Sequence, residues 1–401
     1  MDDKILSISE SVKWIGVLDE KIKTFDIIMT TEYGTTYNAY FIDAEKKAIV
    51  ETAKEKFYDL YLAKLEAVVN PAEIEYIIVN HTEPDHSGSI RRILELAPNA
   101  TVVASAPALK YLQDQIGYDF PKQVVKDGDV IDLGDKRIRI ISAPSLHWPD
   151  TIYSYLEEEQ VLFTCDSFGA HFCRKEMFDD LVGNYNESYQ YYFDVILKPF
   201  SKFYLKAIEK IKDLDIKVVC PGHGPILRTT WNEVIAKTEA MCQDYLEHNP
   251  EKNRILIAFV SAYGYTKTIA EKIKKGLEEV GGLHIDFCDI ESMPQAELAD
   301  KISRASAYLI GSPTINQNML PQIYELFSIM TPLRDKDKLA GCFGAYGWSG
   351  EAERNIITNM ENLKLNYVGE SIFIRFRTQE RDFERIQNYG KKFGFLVKGQ
   401  E

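Results

Sequence analysis

The stretch EYIIVNHTEPDHSGS (residues 75–89) decides how this sequence is read. Its apolar first half reads as a buried β-strand. Where the strand ends, His81, Glu83, Asp85 and His86 place four metal-capable side chains within six residues. Pro84 and Gly88 constrain the loop that carries them, and Ser87 is expected to cap the helix that follows. A loop held this way aims alternate side chains at two neighbouring points. One metal can take His81 and Glu83, the other Asp85 and His86.

Three further polar residues sit just past strands. His147 lies in APSLHWPD (143–150), Asp166 in LFTCDSFG (162–169) and His223 in VVCPGHGP (218–225). Strand exits are where a rigid scaffold presents functional side chains. A lone loop histidine is ordinarily solvated or hydrogen-bonded, and HTEPDH alone can be a capped turn. The set is harder to dismiss. Four loops supply four histidines and three carboxylates, which predicts a dinuclear metal site. Imidazole-rich sites suit zinc, and added carboxylate is a harder ligand that favours iron or manganese.

The surrounding pattern is layered. VKWIGVL (12–18), FDIIMT (25–30), TYNAYFID (36–43), EYIIVN (75–80), TVVAS (101–105), RIRIIS (137–142) and VLFTC (161–165) read as strands. Helical patterns fall near 53–68, 88–97, 107–115, 201–213 and 230–247. This is an α+β order, a sandwich of sheets flanked by helices. Polar LEHNPEKNR (246–254) marks a junction, and we place the domain boundary near 250: residues 1–250 and 251–401.

Beyond it the alternation is regular. RILIAFV (254–260), LHIDFCDI (283–290), AYLIGS (307–312), LAGCFGAYG (339–347) and YVGESIFI (367–374) read as strands separated by helices. That predicts an α/β doubly wound parallel sheet. Its first loop is Ser261-Ala262-Tyr263-Gly264-Tyr265-Thr266, which is neither a dinucleotide fingerprint nor a nucleoside-triphosphate loop. Hydroxyls, a glycine and free N–H groups at a helix N-terminus suit one terminal phosphate. Two more loops follow later strands: Gly311-Ser312-Pro313-Thr314-Ile315-Asn316 and Gly344-Ala345-Tyr346-Gly347-Trp348-Ser349-Gly350. Ligands of such sheets sit beyond the carboxyl ends of the strands, where the three loops converge. Tyr346 and Trp348 can lie against a flat ring.

Composition excludes several classes. The chain has 401 residues and a net charge of −14, unlike a basic nucleic-acid binder. No apolar run approaches a membrane span, and MDDKILSISES has no signal-peptide core, so no membrane association is expected. The six cysteines form no CxxC pair, which argues against a thiolate zinc site, an iron–sulfur cluster or a disulfide framework. A reduced, cytoplasmic protein is the expectation.

The N-terminal motif resembles that of the metallo-β-lactamase superfamily, HxHxDH with later His, Asp and His, but Glu83 replaces its second histidine. The three loops after residue 254 resemble flavodoxin. Together the halves resemble the flavodiiron proteins (A-type flavoproteins), and in finer detail their archaeal F420H2 oxidase branch, found in methanogens. The resemblance implies a metallo-β-lactamase-like αββα sandwich followed by a flavodoxin-like domain. It implies one iron on His81, Glu83 and His147, another on Asp85, His86 and His223, and Asp166 bridging them. It implies FMN on the three loops and no adenosine-bearing flavin. The implied reaction is four-electron reduction of O2 to water, with reduced coenzyme F420 as donor. Nitric oxide reduction to N2O with a redox-protein donor such as rubredoxin is the alternative within the family. A head-to-tail homodimer, or a dimer of dimers, is implied as the assembly. By the same resemblance, no additional C-terminal rubredoxin or flavin-reductase module of the other branches is expected. The segment DSFGAHF is implied to pack over the site, yet His171 reads as an ordinary surface or core histidine, and Tyr192 is a secondary candidate. Outside the family, a dizinc hydrolase would leave the flavin domain unused. A flavodoxin-like electron shuttle would leave seven ligand-capable residues unused.

Overall fold

A computed structural model describes residues 4–25, 29–247 and 252–399. It contains two compact units, Met1–Leu246 and Glu247–Glu401. The expected boundary near 250 lies outside the described residues, as does the middle of FDIIMT, whose ends pair as Thr24–Phe25 with Met29–Thr30.

The first unit is built on two sheets. The larger runs Leu6–Ser7, Val12–Trp14, Tyr40–Ile42, Lys47–Val50, Ile74–Ile78, Thr101–Ala104 and Lys122–Val124 in spatial order. The other runs Val130–Asp132, Arg137–Ser142, Ile152–Leu156, Val161–Cys165 and Val218–Pro221. Apolar side chains of both sheets share one core: Tyr40, Val50, Ile78 and Val103 meet Ile138, Ile140, Phe163 and Cys220. On its other face the larger sheet carries helices Tyr58–Glu66, Ile90–Leu96 and Ala106–Ile116. The second sheet carries Asn186–Tyr192, Ser201–Ile211 and Trp231–Glu247. The expected αββα sandwich is therefore present.

Local readings were less complete. VKWIGVL divides into Val12–Trp14 and Val17–Asp19, which belong to different sheets, and TYNAYFID divides likewise between Thr35–Tyr37 and Tyr40–Ile42. Gly16 makes the first break, because a Cβ there would sit 2.3 Å from the Tyr37 carbonyl oxygen. The strands Lys47–Val50 and Ile152–Leu156 carry no alternation that reveals them, since nearly every residue in them is buried.

The second unit is a five-stranded parallel sheet in the order His284–Asp289, Arg254–Phe259, Ala307–Gly311, Leu339–Tyr346, Asn366–Arg375. Cores on both faces make it doubly wound. Strand order reverses beside Arg254–Phe259, which puts a crevice at the carboxyl ends of this strand and its neighbour Ala307–Gly311.

Candidate metal centre and flavin cleft

Every expected ligand of the metal centre leaves the same end of the sandwich. Ile74–Ile78 delivers His81, Arg137–Ser142 leads to His147, Val161–Cys165 to Asp166, and Val218–Pro221 to His223. Glu83 precedes the one-turn helix Pro84–Ser87, which carries Asp85 and His86. Ser87 does not cap the next helix, contrary to expectation. It closes this turn, and its hydroxyl donates to the Thr82 carbonyl at 3.0 Å.

The seven side chains form two groups that meet at one carboxylate. Glu83 Oε2 lies 3.3 Å from His81 Nε2 and 3.1 Å from His147 Nε2. Asp85 Oδ2 lies 3.4 Å from His86 Nε2 and 3.1 Å from His223 Nε2. Asp166 divides its oxygens between the groups. Its Oδ2 is 3.1 Å from His147 Nε2 and 3.7 Å from His81 Nε2, while Oδ1 is 3.1 Å from His86 Nε2 and 3.5 Å from His223 Nε2. Donors that share an ion at about 2.0–2.2 Å stand about 3 Å from one another.

Electrostatics match a cation site. Burial opposes charge on His81, but Asp150 and Glu83 prevail and push its pKa up to about 10. His86 (against burial, through Asp85 and Asp166) and His147 (against burial, through Asp166 and Glu83) are pushed up to about 10 as well. Burial works against ionisation of Asp166 too, yet His86 and His147 hold it well below the usual carboxylate range. The carboxylates thus demand positive charge, which metal ions on the same donors would supply. Both oxygens of buried Asp85 lack a hydrogen-bond partner, as expected of an acceptor reserved for an ion. The donor set fits two ions that accept both imidazole and carboxylate, as iron does.

Partners outside the seven escaped the sequence reading. Asp150 faces His81 Nδ1 at 3.2 Å and accepts from the Thr82 amide at 2.8 Å, so burial notwithstanding it stays ionised. The His223 Nδ1 donates to the Thr36 carbonyl. Asp150 stood in the quoted segment HWPD, but nothing local distinguishes it from a turn residue. Of the two expectations for His171, surface or core, the structure shows the second, beside the metal-ligand candidates. It is buried with its ring 5.2 Å from that of His223 and 4.8 Å from Tyr192. Its Nδ1 pairs with Thr35 Oγ1 at 2.9 Å and its Nε2 is unpartnered. Burial, and then His223, keep it neutral. Burial, and then Asp166, keep the Tyr192 phenol protonated.

In the second unit, the three predicted loops and Phe376 line an open cleft. Ala262, Tyr263, Tyr265, Thr266, Pro313, Thr314, Ile315, Asn316, Ala345, Tyr346, Gly347, Trp348 and Ser349 face it, joined by Gln317. Ser261, Gly264, Ser312 and Gly350 lie on the same loops but do not line the cleft. Ser261 Oγ accepts from the Lys267 amide, and buried Ser312 Oγ accepts from the Leu320 amide. Gly264, at φ +81°, turns the chain into the helix Tyr265–Glu278, and Gly350 precedes Glu351–Asn362. The Thr266 hydroxyl is buried at that first helix's N-terminus without a partner. An unpartnered donor there, beside free helix N–H groups, fits a terminal phosphate such as that of FMN.

Comparison with known proteins matches both units. Residues 35–224 match the family described as ODP family beta lactamase, and residues 257–388 match flavodoxin. The chain is 35% identical to the flavo-diiron protein FprA2 of Clostridium acetobutylicum, over 97% of this chain and 98% of that protein. It is 32% identical to a nitric oxide reductase of Moorella thermoacetica, over 98% of both. Among solved structures it is similar to rubredoxin oxygen:oxidoreductase from Desulfovibrio gigas, with 25% identity, 99% of each chain covered and a TM-score of 0.73.

Proposed function

The chain belongs to the flavodiiron protein family, oxidoreductases built on a non-haem diiron centre and FMN, and from that premise we propose that it reduces dioxygen to water. His81, Glu83 and His147 would hold one iron, Asp85, His86 and His223 the other, and Asp166 would be shared. The observation that carries this reading is the division of the two Asp166 oxygens between the two groups. When bound, FMN would supply two-electron to one-electron conversion and a pair of irons would supply redox-active sites open to a diatomic molecule.

The chain's own residues do the rest. Asp150 and the Thr36 carbonyl hold His81 and His223 with Nε2 turned inward. Tyr192 and neutral His171 close the centre on the His223 side with one phenolic and one imidazole group. Thr266 and the N-terminus of Tyr265–Glu278 would take the FMN phosphate, and Tyr346 and Trp348, which line the cleft, would flank the ring.

The donor in this reading is reduced coenzyme F420, and the working assembly is a head-to-tail homodimer or a dimer of dimers, in which one chain's FMN serves the other's irons. A cytoplasmic setting is in keeping with six free, buried cysteines. No helix among the described residues is long and apolar enough to cross a membrane. The second reading is nitric oxide reduction fed by a redox protein, favoured by the likeness to a nitric oxide reductase. Oxygen uptake by the iron- and FMN-loaded protein, with F420H2, rubredoxin and NADH as separate donors, tests the proposal. Uptake with F420H2, one O2 per two donors and no peroxide, is the expected result. Uptake only with rubredoxin moves the donor, and turnover of NO alone moves the substrate.

A further inference from the structure

The imidazoles of the centre differ in what holds their outer nitrogen. His81 Nδ1 faces Asp150 at 3.2 Å, and His223 Nδ1 donates to the Thr36 carbonyl. His86 is also fully buried, but its Nδ1 has no hydrogen-bond partner. Its Nε2 is already turned toward Asp166 and Asp85, at 3.1 and 3.4 Å. A neutral imidazole that gives Nε2 to a metal carries its proton on Nδ1, so this nitrogen becomes a buried donor in need of an acceptor.

Such an acceptor lies beside it. Glu51 follows the strand Lys47–Val50, is 2% exposed, and has a carboxylate oxygen within 4.8 Å of a His86 ring nitrogen. Its Oε1 accepts from the Asn80 amide at 2.8 Å, and its Oε2 is buried and unpartnered. The backbone here is in the left-handed region at φ 60°, a conformation that a non-glycine residue keeps only where its surroundings impose it. The next residue already grips His86 from the other end, for Thr52 donates its amide and hydroxyl to the His86 carbonyl at 2.8 and 2.6 Å. Gly222 confines the ring on a third side, where a Cβ would come within 2.7 Å of His86 Cε1.

We propose that Glu51 is the positioning residue of His86, its Oε2 accepting the Nδ1 hydrogen as Asp150 does for His81. Each half of the centre then has one carboxylate-held imidazole from the HTEPDH loop. Glu51 does not touch the metal or the substrate. It acts through His86, fixing its tautomer and aim. This inference rests on the reading of His86 as a ligand.

Cobalt(II) titration of the full-length, FMN-loaded protein, freed of iron and followed by the visible absorption of bound cobalt, tests it. Wild type is expected to bind two equivalents. In E51Q the isosteric amide can accept from only one of the two donors, Asn80 N–H or His86 Nδ1–H. One equivalent should therefore bind about 10–100-fold more weakly while the other is unchanged. E51A should weaken the same equivalent, with FMN content and cooperative unfolding of the second unit as checks on folding. Both equivalents weakening alike in E51Q and E51A would mean a merely structural role and overturn the proposal. So would E51Q binding both as wild type does. H86A is the separate control: if it still binds two equivalents, the ligand assignment fails, and with it the premise.

Discussion

At the metal centre most of the ligand side chains are buried, with His81 and His86 at 0% exposure and Glu83 and His147 half-buried, whereas the flavin cleft is edged by Tyr263 and Trp348 at 79% and 76%. The centre concentrates charge. Three carboxylates and four imidazoles crowd together, and among them His81, His86 and His147 are pushed up while Glu83 and Asp166 are held down. The cleft uses hydroxyls, backbone and aromatic faces. The second unit does bury a charged cluster, but elsewhere: Asp335 is held by Arg334 and Lys338, at 2.7 and 3.0 Å, beneath the sheet. Charge is ligand-directed in one unit and structural in the other. A centre that must hold multivalent ions requires deep, prearranged negative charge, while a flavin is held largely by shape and by one phosphate.

The contrast can be broken most severely at Asp166. Asp166→Ala removes the carboxylate common to both groups. Both metal equivalents should be lost and turnover should fall by about 10³-fold or more, while FMN content stays at wild-type level. Metal analysis and flavin absorbance read the two units separately.

Asp335→Asn should do the reverse. Leaving Arg334 and Lys338 without a buried counter-charge should destabilise the second unit by about 3–5 kcal/mol, with metal content unchanged, as denaturant titration followed through flavin fluorescence would report. The pH dependence has a definite sign. Burial opposes ionisation of Asp335, but Arg334 and Lys338 outweigh it and hold its pKa below the unfolded value. Its contribution is therefore present above the unfolded carboxylate pKa and is lost as pH falls through the lower folded one. Wild type should lose that increment on acidification, and Asp335→Asn should not.

Asp150→Asn sharpens the comparison within the centre. It leaves the seven candidate ligands intact but no longer orients His81 as a carboxylate does. Affinity for one metal equivalent should fall by about 10–100-fold, measured by competition with a chelator. The smallest effect is expected at the cleft. Thr266→Val removes one phosphate donor and should raise the FMN dissociation constant by about 10-fold, read by flavin fluorescence quenching. Metal stoichiometry should not move.

The legible features share a physical character. His81, Glu83, Asp85, His86, His147, Asp166 and His223 were visible because each follows an apolar run, and strand exits can be read from local pattern alone. The loop 261–266 was legible for the same reason, as a strand, a hydroxyl-rich turn and a helix in succession. The strand Ile152–Leu156 was not, because a strand buried on both faces has no period-two signal. Ser261 and Ser312 show a finer limit, since sequence puts a hydroxyl in a loop but does not say which backbone amide it accepts from.

The sequence by itself determined which donor types converge, that carboxylate joins imidazole in a dinuclear set, and that a single-phosphate loop opens a doubly wound sheet. Only the tertiary structure decided that each Asp166 oxygen faces a different group, that Asp150 and Thr36 hold His81 and His223, and that Glu51 lies beside His86. Those pairings join residues far apart in the chain, on strands that become neighbours only when the two sheets close over their common core. Local pattern fixes what a loop can offer, and the packing of apolar faces fixes what stands opposite it.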